Sequence, residues 1–359
     1  MHDESGAAFA EQLLALLDEG SFSTTYKYAL LLALIDCCFE HAGADGRPPA
    51  TLQPRDVAHR VLALYWPQAV PYPGSDEAAV LRQSNTGQAE IVSAVRTFRS
   101  KSDLPAGATR SEGARRDPVG FERLVDEIEW KLVEMPLPRL QRAAGSLRPF
   151  LYVVHWDEHI RKREYRGPDF DCGIHLTDAA RDHLVRFAGL LRPLVQRLWS
   201  DRVAQYNRLP NRQLDEFLFG VDRLTLVRVR LALSELQDGR CFYTGEALKS
   251  PEVDHFLPWA RFPNNAIENL VVANKAANNQ KRAHLVAPEH LARWHERNER
   301  HRADLERVAS AATWETRPSE TTSVVRSVYL SLRDGSPLWL RHREFVEAQH
   351  DEIAAALTS

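Results

Sequence analysis

Residues 241–285 read CFYTGEALKSPEVDHFLPWARFPNNAIENLVVANKAANNQKRAHL, and this stretch is the most informative in the chain. It predicts a short strand at 252–257, ended by Pro258, and a second strand at 269–273. Asn274 can cap a helix that occupies the rest of the stretch. The local pattern therefore predicts a small unit in which two strands are followed by a helix.

Four polar residues of this unit supply the groups that phosphodiester hydrolysis needs. A base must activate water, and a neutral imidazole such as that of His255 suits this task near pH 7. A hard cation must stabilise the developing charge, and the carboxylate of Asp254 and the amide of Asn278 suit Mg²⁺. A positive side chain must hold the phosphate backbone, and Lys281 lies on the same side of the predicted helix as Asn278. Asp254 and His255 are adjacent, so in a strand they point to opposite faces unless the backbone bends.

The order and spacing of these residues resemble the HNH, or ββα-metal, nuclease motif. Val-Asp-His-Phe-Leu-Pro at 253–258, Asn-Leu-Val at 269–271 and Asn-Asn-Gln-Lys at 278–281 occur in register. The resemblance covers about 45 of the 359 residues. It is similar in kind to the HNH domains of CRISPR effector nucleases and of many standalone bacterial HNH proteins.

The resemblance implies a role for each matching residue. Asp254 and Asn278 would be ligands of a divalent metal ion, with Mg²⁺ the first expectation and Mn²⁺ the second. His255 would be the general base, and Asn269 would pin the loop between the strands and so orient that base. Lys281 completes the predicted catalytic set, and no organic cofactor is expected.

The stretch departs from many relatives, which carry a zinc ribbon built from two Cys-x-x-Cys pairs. Cys241 stands at the first of these positions, whereas Thr244, Asn274 and Ala277 stand at the other three. A single thiolate cannot build a tetrahedral zinc site, so we expect no structural zinc. Cys241 is then an ordinary buried thiol. Residues 241–248, here called the knuckle, would be held by the packing of apolar side chains, namely Phe242, Tyr243, Leu248 and Leu270.

Composition predicts a cytoplasmic protein without a membrane segment. The longest strongly apolar run, at 29–35, is far too short to span a bilayer, and residues 1–12 lack the features of a secretory signal. The four cysteines do not form a disulfide framework, which favours a reducing compartment.

Charge is unevenly distributed along the chain. The formal net charge is −3, but residues 223–307 hold 14 Lys and Arg against 11 Asp and Glu. A mildly basic segment in an acidic chain suits a nuclease that touches phosphate locally, and ordinary surface variation would give the same pattern.

The rest of the chain predicts a mostly helical protein with this small α+β unit embedded in it. We expect a helical region at 1–101, a flexible linker at 102–118, a mainly helical region with one strand at 119–220, the HNH domain at 221–310 and a C-terminal helical segment at 311–359. The large region outside the motif is expected to restrain the nuclease or to bind a regulatory partner or a second copy, and the alternative is that it simply binds DNA and positions it.

The most consistent interpretation is an endonuclease that cleaves DNA, with phage defence or restriction as its expected role. An RNA-cleaving nuclease or toxin remains open, because nothing in the motif separates DNA from RNA. A degenerate domain that only binds nucleic acid or a partner is less consistent with intact Asp254, His255 and Asn278. A separate stretch, His155-Trp156-Asp157-Glu158-His159, has the composition of a metal site, although a solvated strand exit more often has this composition.

Overall fold

The computed structural model describes residues 2–18, 23–74, 79–141, 149–209, 214–220 and 223–358. The expected fold class is confirmed, since 58% of the described residues are helical and the sheets among them are small. The chain divides into two compact units. The N-terminal unit comprises residues 1–38 and 48–221, and the C-terminal unit comprises residues 39–47 and 222–359. No helix in the described part of the chain is long and apolar enough to cross a membrane.

Helices dominate the N-terminal unit. They are α1 (His2–Asp18), α2 (Tyr26–Glu40, whose last residues belong to the other unit), α3 (Pro54–Tyr65), α4 (Glu90–Lys101), α5 (Arg110–Arg116), α6 (Pro118–Glu134), α7 (Pro136–Arg139), α8 (Lys162–Tyr165), α9 (Asp178–Asn207) and α10 (Leu214–Phe219). Three of them, α5, α6 and α9, begin with a side-chain cap. Thr177, for example, accepts a hydrogen bond from the Ala180 amide at 3.1 Å and so caps α9.

The segment 102–118 differs from the predicted flexible linker, because it contains α5. Thr109 and Glu112 form a capping box that starts this helix. The guanidinium of Arg99 donates to the carbonyls of Pro105 and Ala106 at 2.8 and 2.7 Å, which holds the approach to the helix. Small and polar residues predicted a loop here, and the capping signal within them outweighed that composition.

A three-stranded antiparallel sheet completes the N-terminal unit, where one strand was predicted. Its strands are β1 (Thr51–Leu52), β2 (Tyr152–Val153) and β3 (Ile174–Leu176), in the order β1-β3-β2. His175 in β3 lies opposite both Thr51 and Val153. Strands of two or three residues leave too short an alternating pattern to be recognised in a sequence.

The C-terminal unit holds the predicted strand–strand–helix pattern. Its elements are α11 (Arg223–Leu236), β4 (Pro251–His255), β5 (Leu270–Asn274), α12 (Lys275–Lys281), α13 (Pro288–Arg300), α14 (Arg302–Ala312), α15 (Pro318–Leu330), β6 (Pro337–Arg341), β7 (Glu344–Glu347) and α16 (His350–Ala356). The segment 311–359 is therefore not wholly helical as expected, because β6 and β7 form an antiparallel hairpin within it. Leu338 and Trp339 are buried in that hairpin, which supplies the apolar contact that stabilises it.

The hairpin β4–β5 rests on an apolar core. Leu270 and Val272 of β5 pack with Val229 and Leu233 of α11 and with residues of α14. Buried Arg297 donates to the Leu270 carbonyl at 2.6 Å, so even the start of β5 is held from α13. This core holds β5 in place, and β5 pairs with β4, the strand that contains Asp254 and His255.

Candidate active site

The strands β4 and β5 pair in one antiparallel register, and α12 follows β5 directly. Asp254 lies opposite Val271, and His255 lies opposite Leu270. Helix α12 ends at Lys281, earlier than predicted, because Arg282 adopts a positive φ of 51°. The short helix nevertheless brings its polar side chains onto β4.

Asp254 is held by two donors that reach the same carboxylate oxygen. The Tyr243 hydroxyl donates to Oδ2 at 2.6 Å, and the Lys281 ammonium lies 2.8 Å from Oδ2. Burial, and secondly the charge of Asp254, raise the pKa of Tyr243 well above its usual value, so the phenol keeps the proton that it donates. Both contacts use Oδ2, so Oδ1 is the oxygen available to a further partner.

Lys281 is fully buried, whereas a side chain that binds the phosphate backbone must be exposed. Its Nζ pairs with Asp254 and also donates to the carbonyl of His255 at 2.7 Å. One ammonium therefore joins α12 to the end of β4 and neutralises the Asp254 carboxylate, which is 12% exposed. This placement favours a positioning role for Lys281 over the phosphate contact that its position in the sequence suggested.

His255 is buried at the end of β4. Its Nε2 lies 2.8 Å from Oδ1 of Asn265, in the loop between β4 and β5. Burial disfavours the imidazolium and lowers the pKa of His255, against the opposing effects of Asn265 and Asp254. Because an amide oxygen accepts, the neutral ring carries its proton on Nε2 and has its lone pair on Nδ1. Asn265 was not predicted, since a loop asparagine has no distinguishing local signal.

Asn269 joins the two ends of the β4–β5 loop. It is fully buried, and its Oδ1 accepts from the Leu257 amide at 2.8 Å. Its Nδ2 donates to the carbonyls of Leu257 and Asn264 at 3.2 and 3.0 Å. These contacts hold the loop that contains Asn265, and the role of Asn269 in orienting the base stays a prediction.

Asn278 contacts a residue that the sequence reasoning missed. Its Nδ2 donates to Oε2 of Glu252 at 2.9 Å, which leaves the Asn278 Oδ1 as the oxygen available to a cation. Glu252 precedes Asp254 by two strand positions, so the two carboxylates lie on the same face of β4. The alternation Glu-Val-Asp was the available signal. Carboxylate and amide oxygens are the ligands that Mg²⁺ prefers, so this donor set fits a hard divalent cation.

A comparison with protein families identifies this part of the chain. The family model described as HNH endonuclease matches residues 241–287. The chain contains an HNH endonuclease domain. The search of curated proteins and the search of solved structures gave no match to the chain. An HNH domain indicates a nuclease that hydrolyses phosphodiester bonds in a nucleic acid and that uses a divalent metal ion.

The knuckle of the HNH domain is held by hydrogen bonds as well as by packing. Asn274 accepts from the Lys249 amide at 2.8 Å and donates to the Ala247 carbonyl at 3.1 Å. Its own amide donates to Sγ of the buried Cys241 at 3.3 Å. Asn274 stands at the N-terminus of α12, but its side chain makes no capping bond there, contrary to expectation. It cross-links the knuckle at one of the positions where relatives place a zinc ligand.

Aromatic side chains pack on the knuckle, although their partners were not among the residues predicted. Phe242 and Tyr243 are buried, and the ring of Phe242 lies 5.9 Å from that of Phe256. The ring of Tyr243 lies 5.4 Å from that of Trp339 in β6. The HNH domain thus depends on a strand that lies well beyond the residues of its motif.

Proposed function

We propose that the chain is a metal-dependent endonuclease that cleaves DNA and uses His255 as its general base. The observation that carries this proposal is the environment of His255. Burial keeps the imidazole neutral, and Asn265 holds its Nε2 so that Nδ1 has the lone pair. A neutral imidazole with one fixed nitrogen is a suitable acceptor for the proton of an attacking water.

Asp254 and Asn278 are the proposed metal ligands, and Glu252 supports them. The Oδ1 of Asp254 and the Oδ1 of Asn278 would hold the ion, because their other polar atoms are bonded within the domain. A bound Mg²⁺ or Mn²⁺ supplies positive charge that stabilises the pentacovalent phosphate and the leaving oxygen. Glu252 keeps the amide of Asn278 in the orientation that presents its oxygen.

The remaining residues of the site position these groups. Lys281 and Tyr243 hold one oxygen of Asp254, and Lys281 also holds the carbonyl of His255. Asn269 fixes the loop that carries Asn265. The base and the metal ligands therefore share one set of supports, which keeps them in a fixed relation before the substrate arrives.

DNA is proposed as the substrate on the strength of the resemblance and the local basic charge. Residues 223–307 carry more Lys and Arg than Asp and Glu within an acidic chain. A role in phage defence or restriction is part of the proposal, as is restraint of the domain by the rest of the chain. RNA is the alternative substrate, and it is one outcome of the test below.

The test is cleavage of supercoiled plasmid, linear duplex DNA, single-stranded DNA and RNA in Mg²⁺, Mn²⁺ or EDTA. We expect DNA cleavage with either metal and none in EDTA. His255→Ala should lower the rate by about 10²–10⁴-fold, as is typical when a general base is removed. The matched control is His342→Ala, which changes an exposed histidine between β6 and β7. Near wild-type cleavage by His255→Ala would overturn the assignment, and cleavage of RNA alone would overturn DNA as the substrate.

A further inference from the structure

A second group of metal-binding side chains lies in the N-terminal unit. His155 follows β2, His175 lies in β3, and Asp171 precedes β3. One ligand atom from each lies within 4.8 Å of the others. Of the predicted metal-like stretch at 155–159, only His155 belongs to this group, while the His159 amide donates locally to Asp157 at 2.8 Å.

A single carboxylate oxygen joins the two imidazoles. Oδ2 of Asp171 lies 2.9 Å from Nδ1 of His155 and 2.9 Å from Nε2 of His175. The other oxygen, Oδ1, accepts from the Gly173 amide at 2.9 Å.

The backbone around the group is shaped to bring these side chains together. A Cβ atom on Gly173 would lie 2.7 Å from Cγ2 of Thr51, 3.0 Å from Oδ1 of Asp171 and 3.1 Å from Cε1 of His175. Only a glycine permits so close an approach. The ring centroids of His155 and His175 lie 5.1 Å apart, so the two histidines meet directly.

Thr51 in β1 fixes the orientation of the His175 ring. Its hydroxyl lies 3.1 Å from Nδ1 of His175, the nitrogen that faces away from Asp171. In the metal-bound state the neutral ring would carry its proton on Nδ1, where Thr51 can accept it, and Nε2 would present its lone pair to the ion in place of its hydrogen bond to Asp171. A hydrogen bond at the second nitrogen is the usual companion of a metal-binding histidine.

We propose that His155, Asp171 and His175 form a second metal site, which binds a divalent transition metal ion such as Zn²⁺. Two imidazoles and one carboxylate select such ions over Mg²⁺, whereas the oxygen donors of the HNH domain select the reverse. Zinc bonds of about 2.0–2.1 Å place tetrahedral ligand atoms roughly 3.3 Å apart. In the structure Oδ2 lies 2.9 Å from each imidazole nitrogen, and the three ligand atoms lie within 4.8 Å of one another. Water would complete the coordination. The expectation of no structural zinc rested on the knuckle alone, and this site lies outside it.

The site would tie the loop between β2 and β3 to the sheet. The three side chains are 58%, 48% and 37% exposed for His155, Asp171 and His175, so an ion can reach them and their replacement removes no core packing. Bound metal stabilises the folded state in proportion to its affinity. Zn²⁺ should therefore raise the melting temperature of the chain through this unit.

The test is titration of the full chain with Zn²⁺ by calorimetry in excess Mg²⁺, which occupies the oxygen donors of the HNH domain. We expect one equivalent of bound Zn²⁺, and its loss in His155→Ala and in His175→Ala. Thr51→Val should weaken binding by about 10–100-fold, as is typical when the hydrogen-bond partner of a ligating histidine is removed. His159→Ala, an exposed histidine outside the group, is the matched control and should bind normally.

Folding and binding are separated by a second measurement. Without Zn²⁺ all four variants should melt near the wild-type temperature, and added Zn²⁺ should raise it only in the wild type and in His159→Ala, with a smaller rise in Thr51→Val. Absence of Zn²⁺ binding by the wild-type chain at micromolar concentration would overturn the proposal. Equal Zn²⁺ binding by the wild type, His155→Ala and His175→Ala would overturn it as well.

Discussion

At the scale of single residues, removing one partner of the ion pair between Lys281 and Asp254 should strongly destabilise the HNH domain. Lys281 is fully buried and Asp254 is 12% exposed, so removal of the ammonium leaves a poorly solvated carboxylate. We expect Lys281→Ala to lower the free energy of unfolding by about 3–5 kcal/mol. Urea denaturation measures this change. Lys275→Ala is the control, because Lys275 is 64% exposed and 3.9 Å from Glu252; a similar loss in both variants would contradict the assignment.

The protonation of His255 should set the lower pH limit of cleavage. Burial lowers its pKa below the ordinary 6.5, and the proposed base acts in its neutral form. Cleavage should therefore be unimpaired at pH 6.5–7 and should fall only as the pH drops through the lowered pKa. The pH profile of kcat/KM measures this. An acid limb in which kcat/KM already falls as the pH is lowered through 7.5 would be inconsistent with His255 as the base.

Asn265 should act through His255 rather than on the substrate. Asn265→Ala removes the acceptor of Nε2, which frees the ring and removes a contact that raises the pKa of His255. We expect a loss of activity of about 10–100-fold, as is typical of residues that orient a functional histidine. The acid limb of the profile should also move to lower pH. A rate loss without that movement would indicate a merely structural role.

At the scale of elements, the knuckle should be stabilised by Asn274 and not by a metal ion. Asn274→Ala removes its side-chain bonds to Lys249, Ser250 and Ala247, and should cost about 1–3 kcal/mol. Thr244→Ala, at another of the positions where relatives carry cysteine, is the control and should change stability by less than about 0.5 kcal/mol. Urea denaturation of both variants measures the difference.

If the knuckle binds no metal ion, Cys241 is not a zinc ligand. Cys241→Ser should leave the zinc content of the purified chain unchanged in elemental analysis, because any bound zinc would belong to the group in the N-terminal unit. A zinc equivalent that disappears with Cys241→Ser would show that the knuckle binds metal after all.

At the scale of the whole molecule, the HNH domain depends on residues beyond its motif. Trp339 is buried against Tyr243, which in turn donates to Asp254. Trp339→Ala should lower the free energy of unfolding by about 3–5 kcal/mol and reduce cleavage. Phe345 is the strand partner of Trp339 and is 43% exposed, so Phe345→Ala is a control with a much smaller expected effect. Equal losses would contradict the dependence.

The HNH domain also makes contacts beyond residue 310, its predicted C-terminal limit. The amide of Ile267 donates to the carbonyl of Glu315 at 2.9 Å, and the Asn264 side chain donates to Thr321 at 3.1 Å. Both partners lie beyond residue 310, where the domain was expected to end. A fragment ending there loses contacts to the loop that holds Asn265. Restraint of the domain by the rest of the chain stays a prediction.

The sequence alone determined the strand–strand–helix unit and the resemblance that singled out Asp254, His255, Asn269 and Asn278. Those features are local, since strand alternation, helix capping and motif spacing are encoded within a few tens of residues. The tertiary structure decided which partners these residues have. The bond of Asn278 to Glu252 and the burial of Lys281 depend on how α12 packs on β4.

Contacts between distant parts of the chain could not be predicted from the sequence, because its local patterns do not specify them. Trp339 reaches Tyr243, and Asp171 joins His155 to His175, through strand registers and packing that no local pattern specifies. The capping box of α5 is a local signal, but the small and polar composition of 102–118 led to the prediction of a linker instead. Local chemistry thus identifies the reacting groups of this protein, whereas long-range packing sets their charge state, their orientation and the limits of the domain that holds them.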